Sequence, residues 1–297
     1  MLTIITGLEA IAGAIDRVTT TVLEALARDE APTAPAVRFL LRRYAATGRE
    51  EIRGALEPAL ARGLDEWPQA ANDDHPEWLL LFAEASAVSD DDRLRNAAAD
   101  LTAILRKAWG RESRVAAAAA SVDGCLRASD RDIPVEIVQE AIDELERVVA
   151  AAYRPGEGLS QTAAGGLPRG RLVDQTRVAS ALLTAFECTS RLPYSMLAEE
   201  LMQFARRTLW DTDAGGFADG DSGARPFALN CEAASVLCRL ALLHGSDDYQ
   251  RTAVVAPDAD YHRDAGRILQ WLAPAAPELG LAGAVYGLAA GDWQSVL

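Results

Sequence analysis

Two carboxylates held about 5–10 Å apart over a common opening can cleave a glycosidic bond, one donating a proton while the other assists. Asp174 and Glu232 are such a pair in this sequence. Each follows a long segment bearing Gly and Pro and sits a few residues into a stretch of helical periodicity. Both are therefore expected in the first turn of a helix, at the same end of the molecule. A carboxylate in that position also interacts favourably with the helix dipole, and this structural explanation serves either residue equally well. His75 is the one histidine expected near that end. In Asp73-Asp74-His75-Pro76-Glu77-Trp78 an imidazole beside carboxylates can move protons, and Trp78 or Trp67 can stack on a sugar ring. The plainer reading makes Asp73 or Asp74 the cap of a helix begun by Pro76, with Trp78 in the core.

Further candidates lie in the segments that precede these helices. Arg169, Arg171 and Arg225 can bind a substrate anion or pair with nearby acids, and pairing suits a chain with 44 carboxylates against 29 basic residues. Gln175, next to Asp174, and Asp219 join Asp73, Asp74, Trp78, Arg171 and Arg225 as candidate ligand contacts. The run Asp211 to Asp221 holds four carboxylates in eleven residues, but Gly215 and Ser222 stand where a calcium loop needs oxygen ligands and a glutamate. Its aspartates are expected to bond their own backbone. No cysteine or histidine cluster has the spacing of a zinc site, so no metal and no cofactor is expected. Ser89-Asp90-Asp91-Asp92 reads as a helix start with Ser89 as its cap. The glycines of 156–166 follow no strand and precede no GKS or GKT, so they read as a mobile flap and not as a phosphate loop.

The elements that position these residues are helices in repeated pairs. Of 297 residues 58 are Ala, and aromatics make up only 6%, a bias that favours helix over strand. Helix end, tight turn and new helix recur around Thr47-Gly48-Arg49, Ser89-Asp90-Asp91, Ser190-Arg191-Leu192-Pro193 and Gly245-Ser246-Asp247-Asp248. Each copy closes on a tryptophan: Trp67, Trp109, Trp210 and Trp271. A weaker copy runs from Ala116–Ala120 through Ser129–Pro134 to Tyr153, with Pro134 suited to a first helical turn. With one helix at about 4–28 and another at about 279–290, the total is twelve helices in six hairpins. The uneven repeat interval argues against an open solenoid. The expectation is all-α, a single (α/α)6 toroid over residues 1–297 in which the first and last helices complete the ring. Long connections of about 67–77, 154–173 and 211–226 gather at one end, and functional loops tend to be the long ones on a rigid scaffold.

Val173-Asp174-Gln175-Thr176 opening a helix, Ala198–Leu201 leading to Leu209-Trp210-Asp211, then Gly215–Asp219 and Ala233–Leu243 make the chain similar to the C-terminal toroid of the YyaL-type family. Pro35, Phe39–Arg43 and Thr47-Gly48 fit as well. That resemblance implies a six-hairpin glycosidase-like toroid, normally preceded by a thioredoxin-like domain. Here the sequence begins directly in the first helix; a separate thioredoxin-like partner would accompany an interaction-module reading. The family's His-Trp and Pro-His-Phe-Glu constellation is reduced to Asp73–Trp78, and a sugar epimerase would place two histidines where only His75 is available. Two readings follow: a funnel that binds or processes a saccharide, with Asp174, Glu232 and His75 as the catalytic candidates, or a non-catalytic interaction module.

Charge and composition narrow the partners. A net charge of -15 argues against a nucleic-acid binder. The absence of an 18-residue apolar run argues against a spanning helix. No basic residue precedes Arg17 and Glu9 interrupts the apolar start, which speaks against a secretion signal. Cys125, Cys188, Cys231 and Cys238 have no dense spacing and read as buried free thiols of a cytoplasmic protein.

Overall fold

The computed structural model describes residues 2–129, 135–220 and 223–296. Six helices form an inner ring: α2 (Ala34–Thr47), α4 (His75–Ser86), α6 (Val115–Ala128), α8 (Leu172–Thr189), α10 (Phe227–His244) and α13 (Ala284–Gln294). Each touches the next, and α13 returns to touch α2, so the ring is closed. Outside it lie α1 (Leu2–Ala27), α3 (Glu50–Glu66), α5 (Asp92–Ala108), α7 (Val135–Ala152), α9 (Leu192–Leu209) and α12 (Tyr261–Leu272). A short α11 (Asp247–Thr252) interrupts the connection from α10 to α12. The outer helix paired with α13 is α1, so the sixth hairpin is made from the two ends of the described chain. This is an (α/α)6 toroid.

The sequence pattern explains the layering. Outer helices bury one stripe: α5 hides Leu94, Ala97, Leu101 and Leu105, and α12 hides Tyr261, Ala265, Ile268, Leu269 and Leu272, the three- and four-residue spacing of one helical face. Inner helices are covered on more sides and carry small residues where neighbours approach, as in Ala118, Ala119 and Ser121 of α6. By length and hydropathy α10 could cross a membrane, but in the ring its apolar residues meet α8, α12 and α13.

Helix boundaries follow the expected turns with local differences. Trp67, Trp109 and Trp210 each stand just past the end of an outer helix, and Trp271 is next to last in α12. The indole N–H of Trp109 donates to Ser121 Oγ at 2.9 Å, tying the end of α5 to α6. The cap of α5 is Asp91, whose carboxylate accepts from Arg93 N, while Ser89 Oγ accepts from Asp91 N one step earlier. Asp74 stands at the cap position of α4 but its side chain makes no capping bond. The last inner helix starts at Ala284, later than expected, because 276–283 winds as a 3-10 helix. Three cysteines are buried and free; Cys188 is exposed. The turn that holds Pro134 lies outside the described residues.

Candidate functional site

All six inner helices point their N-termini toward the long-connection end, and between them lies a cavity of about 260 Å³. Six carboxylates line it: Asp73, Asp74, Glu77, Asp123, Glu232 and Asp292. Five guanidiniums face them, from Arg38, Arg42, Arg127, Arg177 and Arg239. No aromatic ring and no histidine belongs to the wall among the described residues.

The charges are arranged in layers because the helices share a register. Numbering from the first residue of each, position six is Ala120 in α6, Arg177 in α8 and Glu232 in α10. Position nine is Asp123, Ser180 and Ser235, and position thirteen is Arg127, Thr184 and Arg239. In the upper layer Arg177 Nε and Nη2 donate to Glu232 at 3.0 and 3.2 Å. On the floor Asp123 accepts from Arg127 Nε at 2.9 Å, from Ser180 Oγ at 2.7 Å and from Thr184 Oγ1. Arg239 donates to Ser180, Thr184 and Glu187. Burial alone would raise the Asp123 carboxyl, but Arg127 and Arg239 hold it below the ordinary range. The same burial, with Arg127 close by, lowers the Arg239 guanidinium. Across the floor Glu84 accepts from both Arg38 and Arg42 at 2.7–3.1 Å. Against the upward push of burial, these bonds hold its carboxyl at about 2. Arg42 also reaches Asp292 of α13 at 3.1 Å, bridging the ring closure.

The sequence candidates divide sharply. Glu232, Asp73 and Asp74 face the funnel; Asp174, His75, Trp78, Gln175, Asp219, Arg171 and Arg225 are not in its wall. Asp174, 1% exposed, turns sideways to accept from Ala116 N in the first turn of α6. Burial pushes its carboxyl up to about 6, and Oδ2 has no hydrogen-bond partner. His75 is buried edge-on to Trp67 with Nδ1 unpartnered, and Trp78 packs on Phe82. The capping alternative for Asp73 is replaced by a bidentate pair with Arg114 at 2.8 Å, which joins the rim at α4 to the segment entering α6. The other histidines are structural: His244 Nε2 lies 3.0 Å from Glu199 Oε1, and His262 stacks on Trp293.

Gln175 has a different task, one that the sequence repeats. After α7 the chain makes an antiparallel pair, β1 (Tyr153–Arg154) with β2 (Gly158–Leu159), and after α9 it makes β3 (Trp210–Asp211) with β4 (Gly216–Phe217). Gln175 Oε1 accepts from Leu159 N at 3.2 Å, and its Nε2 donates to Arg171 O at 3.3 Å. Asn230 repeats this on Phe217 N at 2.8 Å and Pro226 O at 3.0 Å. Both amides are the fourth residue of their helix. A Cβ on Gly158 or Gly216 would lie 3.0 Å from the amide oxygen and closer still to Phe204 or Trp271, so both positions need glycine. The expected flap is thus a stapled hairpin, further held by Arg169 Nη2 donating to Ala152 O and Gly158 O. Arg171 pairs with Asp219, Arg225 pairs with Asp211, and Asp211 accepts from Asp213 N and Ala214 N as its turn requires. In the two helices that carry this fourth-residue amide, position six (Arg177, Glu232) faces the funnel and position three (Asp174, Leu229) does not, and the repeated amide is the sequence signal that marks that register. Among the described residues no group of three His, Cys, Asp or Glu side chains is placed to hold a metal ion.

No protein-family model and no curated protein matches the chain. Its fold is similar to that of solved structures that act on carbohydrates. An unsaturated glucuronyl hydrolase from Bacillus sp. GL1, responsible for degradation of glycosaminoglycan, superposes with a TM-score of 0.71 at 13% identity over 95% of each chain. A GH76 α-mannanase of Bacteroides thetaiotaomicron gives 0.67 at 9% identity over 96% of each. Cellobiose 2-epimerase of Bacillus thermoamylovorans gives 0.63 at 8% identity, over 82% of this chain and 75% of its own. These neighbours are six-hairpin glycosidase-like toroids, and at such identities the likeness is one of fold.

Proposed function

We propose that the funnel binds a saccharide. One observation carries this reading: every inner helix contributes at least one hydrogen-bonding side chain to the wall, set among apolar residues such as Leu80, Val236 and Leu288, and the cavity opens at the long-connection end of a fold shared with carbohydrate-acting proteins. Sugar hydroxyls both donate and accept, which suits a surface where carboxylates, guanidiniums and Ser180, Ser235 and Thr176 hydroxyls are interspersed. Glu232, Asp73 and Asp74 are the contacts taken from the candidate residues. A funnel plugged by apolar side chains would have favoured a purely structural ring.

A second reading has its own support. At about 260 Å³ the cavity is smaller than the usual ligand pocket of ~300–1,000 Å³, and its wall has no aromatic platform. This favours binding without turnover, as in an interaction module. The YyaL-type likeness of Val173–Thr176 and Trp210–Asp219 would add a separate thioredoxin-like partner. Thermal shift against a panel of neutral, acidic and amino oligosaccharides tests the first reading. A hit that Glu232→Gln weakens supports it, and a panel with no hit removes it. Release of reducing ends from a hit separates turnover from binding.

A further inference from the structure

The charges of the funnel do not cancel evenly. Every guanidinium in the wall has a carboxylate at ion-pair distance: Arg177 has Glu232, Arg127 has Asp123, Arg239 has Glu187, and Arg38 and Arg42 share Glu84. The carboxylates are not matched in return. The Asp74 carboxylate has no ion pair or hydrogen bond among the described residues, and it lies exposed at the start of α4. Among the described residues Glu77 forms an ion pair with Arg38 alone, at 3.5 Å, with Arg177 attracting it from farther off, and Arg38 is held more closely by Glu84 at 2.8 Å. The uncompensated charge is therefore negative and sits in the upper wall, where an incoming ligand arrives first. The same wall holds, on α8, a neutral acceptor in want of a partner. Thr176 belongs to the wall, is 1% exposed, and its hydroxyl makes no hydrogen bond. A buried hydroxyl left without a partner is costly, and a ligand N–H or O–H placed there would satisfy it.

We propose that this site takes a saccharide carrying a protonated amine, with Asp74 and Glu77 receiving the cation and Thr176 accepting a hydrogen bond from another group of the same ligand. The proposal rests on the saccharide reading and sharpens it. A uronate would meet the unmatched carboxylates first and would find no unpaired guanidinium behind them. An ammonium donates three hydrogen bonds and accepts none, which fits a set of oxygen acceptors. Attraction of this kind between partly exposed groups is salt-dependent.

Calorimetric titration of the whole chain at about pH 6 with a glucosamine trisaccharide, its fully N-acetylated counterpart and a galacturonate trisaccharide tests this. The amine form is expected to bind about tenfold more tightly than the acetylated form at low salt, and the gap should close at about 0.5 M salt. Asp74→Asn, at an exposed side chain without hydrogen bonds, should remove most of that preference by weakening the amine form far more than the acetylated form. Thr176→Val should weaken both forms alike. Equal or tighter binding of the acetylated or galacturonate form would overturn the charge assignment and leave the saccharide reading standing. If none of the three binds, this proposal falls, and the neutral members of the oligosaccharide panel decide the saccharide reading.

Discussion

Asp174 and Glu84 are both carboxylates packed among inner helices, yet they sit on opposite sides of the ordinary range, near 6 and near 2. Asp174, beside the N-terminus of α6, has one backbone N–H and an oxygen with no partner. Glu84, on the floor, is forked by two guanidiniums. Burial pushes both upward; only the second has enough opposing charge to reverse the push. The floor is thus built to stay ionised and bear the ring, whereas the rim holds an acid that titrates near neutrality without facing the cavity. A perturbed carboxyl at the mouth of a funnel invites a catalytic role, but here geometry separates perturbation from access.

Breaking the floor should have the largest effect. Glu84→Gln leaves Arg38 and Arg42 facing a neutral amide and is expected to cost about 3 kcal/mol in urea unfolding at pH 7. Because the folded carboxyl lies below its unfolded value, its contribution is complete above about pH 4.5 and disappears as the pH falls toward 2. The variant should therefore approach the parent only in strong acid. An undiminished gap at pH 2 would show that the loss comes from packing.

Asp174→Asn should act with the opposite sign. Its folded carboxyl is raised, so ionisation costs stability that is absent below about pH 4, grows toward pH 6 and is full above it. The variant should gain about 1–2 kcal/mol at pH 8 over the parent and little at pH 4, read from unfolding midpoints. A loss at pH 8 would mean that the charge is needed by α6. Arg42→Gln sharpens the comparison from the other side, since removing one guanidinium should move the Glu84 carboxyl up and narrow the pH window of its contribution. Chemical-shift titration of that carboxyl reads the change directly. The smallest effect is expected from Asp73→Asn, whose partner Arg114 is half exposed. A change within about 1 kcal/mol is the ordinary range for such a pair.

The toroid was legible because turns and helix ends carry local signals: Thr47-Gly48, Ser190 to Pro193 and the tryptophans past α3, α5 and α9 mark boundaries wherever the helices end up. The funnel was half legible. Placing Asp174 and Glu232 in first turns was sufficient to put both at the right end of the ring, since all inner helices share a direction. It was insufficient to say which way each points, because positions three and six differ by about 60° around the helix axis, enough to turn a side chain from the neighbouring helix to the cavity. Asp174, at position three, faces α6, while Glu232, at position six, faces the cavity. The floor network escaped notice altogether. Glu84 of α4, Asp123 and Arg127 of α6, and Arg239 of α10 lie past the middle of helices in three separate repeats, where charges read as solvated faces until the ring brings them together.

The sixth hairpin, made from α1 and α13, also bears on how the site comes into being. Contacts between α13 and both α1 and α2 join residues separated by nearly the whole chain, and such distant pairings are slow to form because the intervening loop must close first. During synthesis the first five hairpins can stack as they emerge, but Arg42 lacks its Asp292 partner and the cavity lacks one wall until α13 has been made. The funnel is consequently a late product of folding, available only to chains that have been translated through α13.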